Sequence, residues 1–108
     1  MSQKILQINF TFSVSKVEYE EANLPYASFI ADIPGVCWKI WLMNEAEGEA
    51  GGIYLFDDEA ALQTFLAGPI VEEIQDDPML SKVSLKQFDV MEEHTAITRG
   101  PVLVEVRV

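Results

Sequence analysis

The sequence predicts an α+β domain of the ferredoxin-like type, a split β-α-β sandwich with the order strand, helix, strand, strand, helix, strand. Three observations carry this. Lys4 to Phe12 alternates apolar and mixed positions, as a strand does. Pro34 to Phe56 reads as two apolar runs joined by the polar, acidic turn Asn44 to Glu49, which makes a hairpin. The segments before and after that hairpin carry apolar residues three and four apart behind capping side chains, as helices do.

At 108 residues the chain suits a single domain spanning 1–108, with a core over 1–91 and a C-terminal extension over 92–108. Seven basic and eighteen acidic residues leave a net charge of −11, which repels phosphate backbones and anionic lipid, so nucleic acid and membrane are excluded as partners. Cys37 is the only cysteine, which forbids an intrachain disulfide and predicts a small packed hydrophobe in a reducing, cytoplasmic setting. The amino terminus lacks the continuous apolar stretch of a signal peptide.

In the first strand, Leu6, Ile8, Phe10 and Phe12 share one face and Ile5, Gln7, Asn9 and Thr11 the other. The second face is too apolar for a freely solvated one and predicts contact with a partner or a cavity. Ser13 to Ser15 can cap a helix from about Lys16, whose buried stripe is Tyr19, Ala22, Tyr26, Phe29, Ile30 and Ile33. Pro25 within it predicts a kink or a late start, and Pro34-Gly35 stops it. After the hairpin, Asp57 and Asp58 cap a helix through Leu62, Phe65 and Leu66, and Pro69 opens a short turn that Asp76-Asp77-Pro78 breaks. From Lys82 to Met91 a last core strand follows, and Val83, Leu85, Phe88, Val90 and Met91 cannot share one face without a bulge.

Right-handed crossovers put the first and third strands in the centre of an antiparallel sheet, with both helices on one face. The other face is left bare and apolar, so two such sheets are expected to pair in a homodimer. Thr98 to Pro101 reads as a turn, and Val102 to Val108 alternates as one more strand that needs a partner.

The residues Pro34-Gly35, Trp38-Lys39-x-Trp41, an acidic turn, and Glu49-Ala50-Gly51-Gly52-Ile53-Tyr54-Leu55-Phe56 resemble the YdhR-like monooxygenase family, with a likeness that runs from the first strand to about Val90. The resemblance implies a dimeric α+β barrel, two ferredoxin-like sheets face to face, and an oxygenase that needs no metal or flavin. The wider fold group also holds haem-degrading enzymes, isomerases and sensor modules. Asn9 could stand at the strand asparagine of the haem degraders. However, no histidine lies on the second helix, and Tyr54 and Phe56 replace their tryptophan, which argues against haem degradation.

One histidine and one cysteine cannot build an ordinary metal set, and no glycine-rich phosphate loop precedes a helix, so neither a metal nor a cofactor is expected. In a regular strand Trp38 and Trp41 point to opposite faces; Lys39 shares the parity of Trp41, and both are placed on the bare face. Packing is the commoner role for such indoles, and the sharper one is an aromatic wall with Phe56 for a flat substrate. Lys39 needs an acidic partner, solvent or an anionic ligand there. Asn9 and Gln7, central in the sheet, either bond within the protein or donate to a substrate carbonyl or enolate, with the Tyr54 hydroxyl in the same network. His94 reads as a solvated loop residue.

The leading reading is a cofactor-independent monooxygenase acting on a small aromatic or quinone-like compound, with Asn9, Lys39 and Tyr54 catalytic and Gln7, Trp38, Trp41 and Phe56 against the substrate. In such chemistry the substrate carbanion reduces oxygen, and the protein removes a proton, stabilises an enolate and excludes water. The rivals are a non-catalytic ligand-binding or sensor module and a purely structural dimer.

Overall fold

The computed structural model describes residues 2–102. Its order is β1 (Lys4–Phe12), α1 (Lys16–Ala31), β2 (Val36–Asn44), β3 (Glu49–Phe56), α2 (Glu59–Leu66), α3 (Pro69–Asp76), β4 (Leu80–Asp89) and α4 (Glu92–Ile97). The four strands form one antiparallel sheet in the order β2-β3-β1-β4, the ferredoxin-like arrangement with β1 and β3 central. No helix of the described residues is long and apolar enough to cross a membrane.

Local chemistry explains the element ends. Ser15 caps α1 by accepting from the Glu18 amide at 3.1 Å, and its hydroxyl donates back to the Glu18 carboxylate. The helix starts at Lys16 and runs unbroken past Pro25, so the late start expected from that proline does not occur. Asp58 caps α2 through the Ala61 amide at 2.8 Å, and Pro69 opens α3 where its missing N–H is not needed. The β2–β3 turn closes with Asn44 accepting from the Glu47 amide, and with the carbonyl of Gly48, at φ 62°, accepting from the Phe12 amide.

The core lies between one face of the sheet and α1, α2 and α3. Leu6, Ile8 and Phe10 of β1 and Tyr54 and Phe56 of β3 pack there against Ile30, Leu62, Phe65, Ile70 and Val71. The irregularity in the last strand lies earlier than the apolar pattern put it: pairing with β1 shifts between Asn9 and Thr11, opposite Lys82 at φ 54°, whereas Leu85 to Phe88 pair regularly with Ile8 to Ile5 and so place Leu85 and Phe88 on opposite faces. The strand itself ends at Asp89, and Glu92–Ile97, including His94, is helical rather than loop.

On the opposite face lie Ile5, Gln7, Asn9, Ile53, Leu55 and Phe88. This face is not wholly bare. Leu55 is fully buried between its cross-strand neighbours Ile5 and Trp38, and after α4 the chain returns so that Trp38 Nε1 donates to the Pro101 carbonyl at 2.8 Å. Arg99 at φ 65° makes that return, with the Gly100 amide closing on the Thr95 carbonyl. The strand expected from Val102 onward lies, past Val102, outside the described residues.

The Trp38–Pro101 bond yields a test. Trp38→Phe is expected to cost about 0.5–1.5 kcal/mol in urea unfolding, and truncation after Gly100 to remove the same bond. The double change should then cost less than the sum of the two. Strict additivity would show that the bond does not form in solution.

Candidate functional site

The site begins with an irregularity in β2. Val36 pairs with Phe56 and Trp38 with Leu55, so Cys37 has no β3 counterpart of its own. Beyond it Lys39 stands opposite Tyr54 and Trp41 opposite Gly52. Tyr54 is in turn the partner of Leu6, whose side chain is in the core. Lys39 and Trp41 therefore face the helices, and Trp38 faces away. The sequence reading placed Lys39 and Trp41 on the bare face because it took the strand as regular; the one-residue shift reverses the phase of everything after Cys37. Cys37 itself is exposed, not packed, and its thiol donates to Asp57 Oδ1 at 3.0 Å.

Between the sheet and helices α1 and α3 is a cavity of about 240 Å³. Ile8, Phe10, Ile30, Ile70 and Ile74 give it apolar walls, and Tyr19, Lys39, Trp41 and Tyr54 supply its polar and aromatic groups. Trp41 (37% exposed) and Tyr26 (40% exposed) stand at its opening. The Tyr26 hydroxyl donates to Glu73 at 3.1 Å, tying α1 to α3 across the cavity. Glu18, Glu73 and Asp77, all exposed, add carboxylates to the lining.

Two glycines make this shape. A Cβ at residue 51 would stand 1.9 Å from the Ile8 carbonyl oxygen, so only glycine lets β1 and β3 approach there. A Cβ at residue 52 would stand 2.5 Å from Lys39 Cε, so the missing side chain is the space in which the lysine lies.

Lys39 Nζ sits 3.4 Å from the centroid of the Trp41 ring and 4.5 Å from that of Tyr54. Among the described residues no carboxylate forms an ion pair with it. Burial lowers its pKa from 10.5 to about 7. A displacement of that size corresponds to about 4–5 kcal/mol, whereas a desolvated cation–π contact returns about 2 kcal/mol, so burial outweighs the ring faces. The amine thus gives up its proton far more readily than an exposed lysine does. Burial acts oppositely on the phenols: Tyr19 is pushed up to about 12, and Tyr54, which also feels Tyr19, is raised further. Both stay protonated as hydrogen-bond donors.

The sequence-predicted residues divide between the two faces. Lys39, Trp41 and Tyr54 come together in the cavity. Phe56 is fully buried in the core, stacked on Tyr54 at 6.0 Å and against Phe65 at 5.3 Å, and is not part of the cavity lining. Asn9, Gln7 and Trp38 lie on the far side of the sheet, where Gln7 Nε2 donates to Asn9 Oδ1 at 2.8 Å. Asn9 and Tyr54 therefore cannot share the network expected of them. Sequence reasoning missed Tyr19, Tyr26 and Glu73 as cavity residues, although the first two belonged to the predicted helical stripe. Among the described residues no group of three or more His, Cys, Asp or Glu could hold a metal ion.

The low pKa of Lys39 makes stability depend on pH in a fixed direction. Between about pH 7 and 10.5 the unfolded chain holds a proton on this lysine and the folded chain does not, so stability rises with pH across that window. Lys39→Met should be more stable than wild type at pH 6 by about 1–3 kcal/mol, with the gap closing toward pH 10. Parallel unfolding curves at the two pH values would refute a depressed pKa.

The comparisons with known proteins fit this architecture. The structure of SnoaB, a cofactor-independent oxygenase from Streptomyces nogalater, superimposes with a TM-score of 0.67 at 21% identity, over 83% of this chain and 94% of that one. NE2512, a protein of unknown function from Nitrosomonas europaea, gives 0.63 at 17% identity, over 84% and 91%. The heme-degrader MhuD from Mycobacterium tuberculosis, with two hemes bound in its active site, gives 0.62 at 19% identity, over 81% and 95%. At these identities the likeness establishes the fold. No curated protein matches. Residues 5–101 match the family described as "Putative mono-oxygenase ydhR", and the chain belongs to that family.

Proposed function

We propose that this protein is a cofactor-independent monooxygenase whose substrate, a small aromatic or quinone-like compound with an acidic C–H or hydroxyl, binds in the cavity between the sheet and helices α1 and α3. The observation that carries the reading is the placement of the Lys39 amine inside an apolar cavity against two aromatic rings, where burial lowers its pKa to about 7. This amine is the base that the chemistry needs. At about 240 Å³ the cavity is smaller than the roughly 300–1,000 Å³ of drug-sized sites and suits one or two rings.

Lys39 takes a proton from the substrate and, as ammonium, stays paired with the resulting enolate, an attraction strengthened by the low dielectric around it. Trp41 covers one ring face, and the Tyr54 hydroxyl donates to the enolate oxygen. The carbanion adds to dioxygen and forms a peroxide, which takes back the lysine's proton. Loss of water then leaves a carbonyl, so one oxygen atom enters the product and the other leaves as water. The carboxylates at the rim and the net charge of −11 disfavour anionic substrates and leave weak, neutral acids.

We further propose a homodimer formed through the sheet face that carries Ile5, Ile40, Ile53 and Phe88. Ile40 is 50% and Phe88 47% exposed there, and a second copy would cover both. The single unbridged cysteine accords with the cytoplasm.

Two measurements test these readings. Hydroquinones, polyphenols or anthrone-like compounds should quench tryptophan fluorescence saturably and support oxygen uptake that Lys39→Met lowers at least ~100-fold and Tyr54→Phe by a smaller factor. Saturable binding with no oxygen uptake across a broad panel would favour the ligand-binding or sensor module. Light scattering coupled to size exclusion at micromolar protein should return twice the chain mass, and a monomer would overturn the sheet-to-sheet pairing.

A further inference from the structure

We infer that Lys39 is also a carbonyl-capturing nucleophile: its Nζ, enclosed in the cavity with Trp41 and Tyr54 and lying across the space left by Gly52, forms an imine with planar aromatic aldehydes. This goes beyond oxygenation and rests on the placement of the amine in the cavity together with its burial. It requires neither dioxygen nor a carbanion.

Three features converge. The amine is the one lysine nitrogen that lines the cavity, whereas Lys82 and Lys86 are exposed and Lys4 is paired with Asp89 at the edge of the sheet. Nζ lies 3.4 Å and 4.5 Å from the ring centroids of Trp41 and Tyr54, so a flat aldehyde that enters the cavity finds aromatic surface directly beside the nitrogen. The Tyr54 and Tyr19 hydroxyls, on β3 and α1, are polar groups in the same cavity and donate to the carbonyl oxygen.

The chemistry balances without an external redox partner. The nitrogen lone pair attacks the carbonyl carbon, a C–N bond forms, and the C–O π pair moves onto oxygen. A proton passes from nitrogen to that oxygen and gives a carbinolamine. Loss of the hydroxyl with the remaining N–H proton releases water and leaves the C=N double bond. The titratable groups that line the cavity with the amine are Tyr54 from β3, Glu18, Tyr19 and Tyr26 from α1, Glu73 from α3 and Asp77 from the turn after it. None of the three carboxylates is ion-paired with Lys39. Burial lowers the pKa of this amine to about 7 from the usual 10.5, so far more of it is free base near neutrality than for an exposed lysine.

The test is reductive trapping of wild-type protein under argon at pH 7, with 4-hydroxybenzaldehyde as probe, sodium cyanoborohydride to reduce the imine to a secondary amine, and peptide mapping by mass spectrometry. Lys39 is expected to be alkylated at least ~10-fold faster than Lys4, Lys16, Lys82 or Lys86, and its rate to rise through pH 7 and level off above it. p-Cresol, which has the same ring but no carbonyl, should protect Lys39 and leave the other four unaffected. Labelling spread over the exposed lysines with Lys39 unmodified, or Lys39 labelling indifferent to p-cresol, would overturn the proposal. The mapping uses unmutated protein, so a folding defect in a lysine variant does not enter. The experiment excludes oxygen, so its failure leaves the oxygenase reading intact, and a protein that takes up no oxygen can still pass it.

Discussion

The side of the sheet on which Lys39 and Trp41 project follows from the one unpaired residue in β2, and the whole site depends on that phase. With Val36 held against the core opposite Phe56, a regular strand would send Trp38, Ile40 and Leu42 toward the helices and put the lysine on the other face. The shift at Cys37 exchanges the two sets. It is anchored from outside the strand. Cys37 donates to Asp57, the Asp57 amide donates to the Gly35 carbonyl, and Gly35, at φ 89°, packs so close to Ala61 that a Cβ there would stand 2.5 Å from that methyl. The entry into β2 is thereby fixed to the exit of β3 and the start of α2.

Once Lys39 faces inward, its surroundings decide its chemistry. Gly52 leaves room for the aliphatic stem to lie flat on the sheet, and the stem carries the amine under Trp41 and beside Tyr54. The carboxylates of the lining, Glu18 on α1, Glu73 on α3 and Asp77 just after α3, are exposed and form no ion pair with the amine, so they shape the field at the entrance without neutralising it. The hydrogen bond from Tyr26 to Glu73 couples the two helices that roof the cavity, and both residues belong to its lining. Rim and interior thus oppose each other: the entrance is acidic, and the interior holds a base.

Much of the fold was legible in the residues, and the reasons are local. Alternation in Lys4–Phe12 identifies β1 and its core face, Ser13 to Ser15 and Asp57-Asp58 announce the helices α1 and α2, and the polar turn between apolar runs identifies the hairpin. The site was less legible because its determinant is a pairing defect. Val36, Cys37 and Trp38 all suit a strand, no Gly or Pro marks the shift, and only the partner strand shows that one of them is surplus. The α1 stripe misled in a different way. Of the residues expected to be buried, Tyr19 and Ile30 are, but Ala22 and Tyr26 are exposed at the cavity and Phe29 is 53% exposed. Periodicity predicts which face turns inward; it does not predict that a cavity lies beneath that face.

The cost of this arrangement is itself informative. An amine enclosed without a counter-ion opposes folding wherever it is charged, and an unbranched apolar side chain of similar length would fill the same space over Gly52. Neither the register nor the core requires nitrogen at this position: Tyr54 packs on Phe56 and Phe65 independently of it, and the shift at Cys37 is held by Asp57 and Gly35. A destabilising group that no structural task accounts for, in a cavity that also presents two protonated phenols and an indole face, is the observation on which the proposed chemistry rests. The fold confines that desolvation cost to one side chain, with glycine beneath and aromatic rings around.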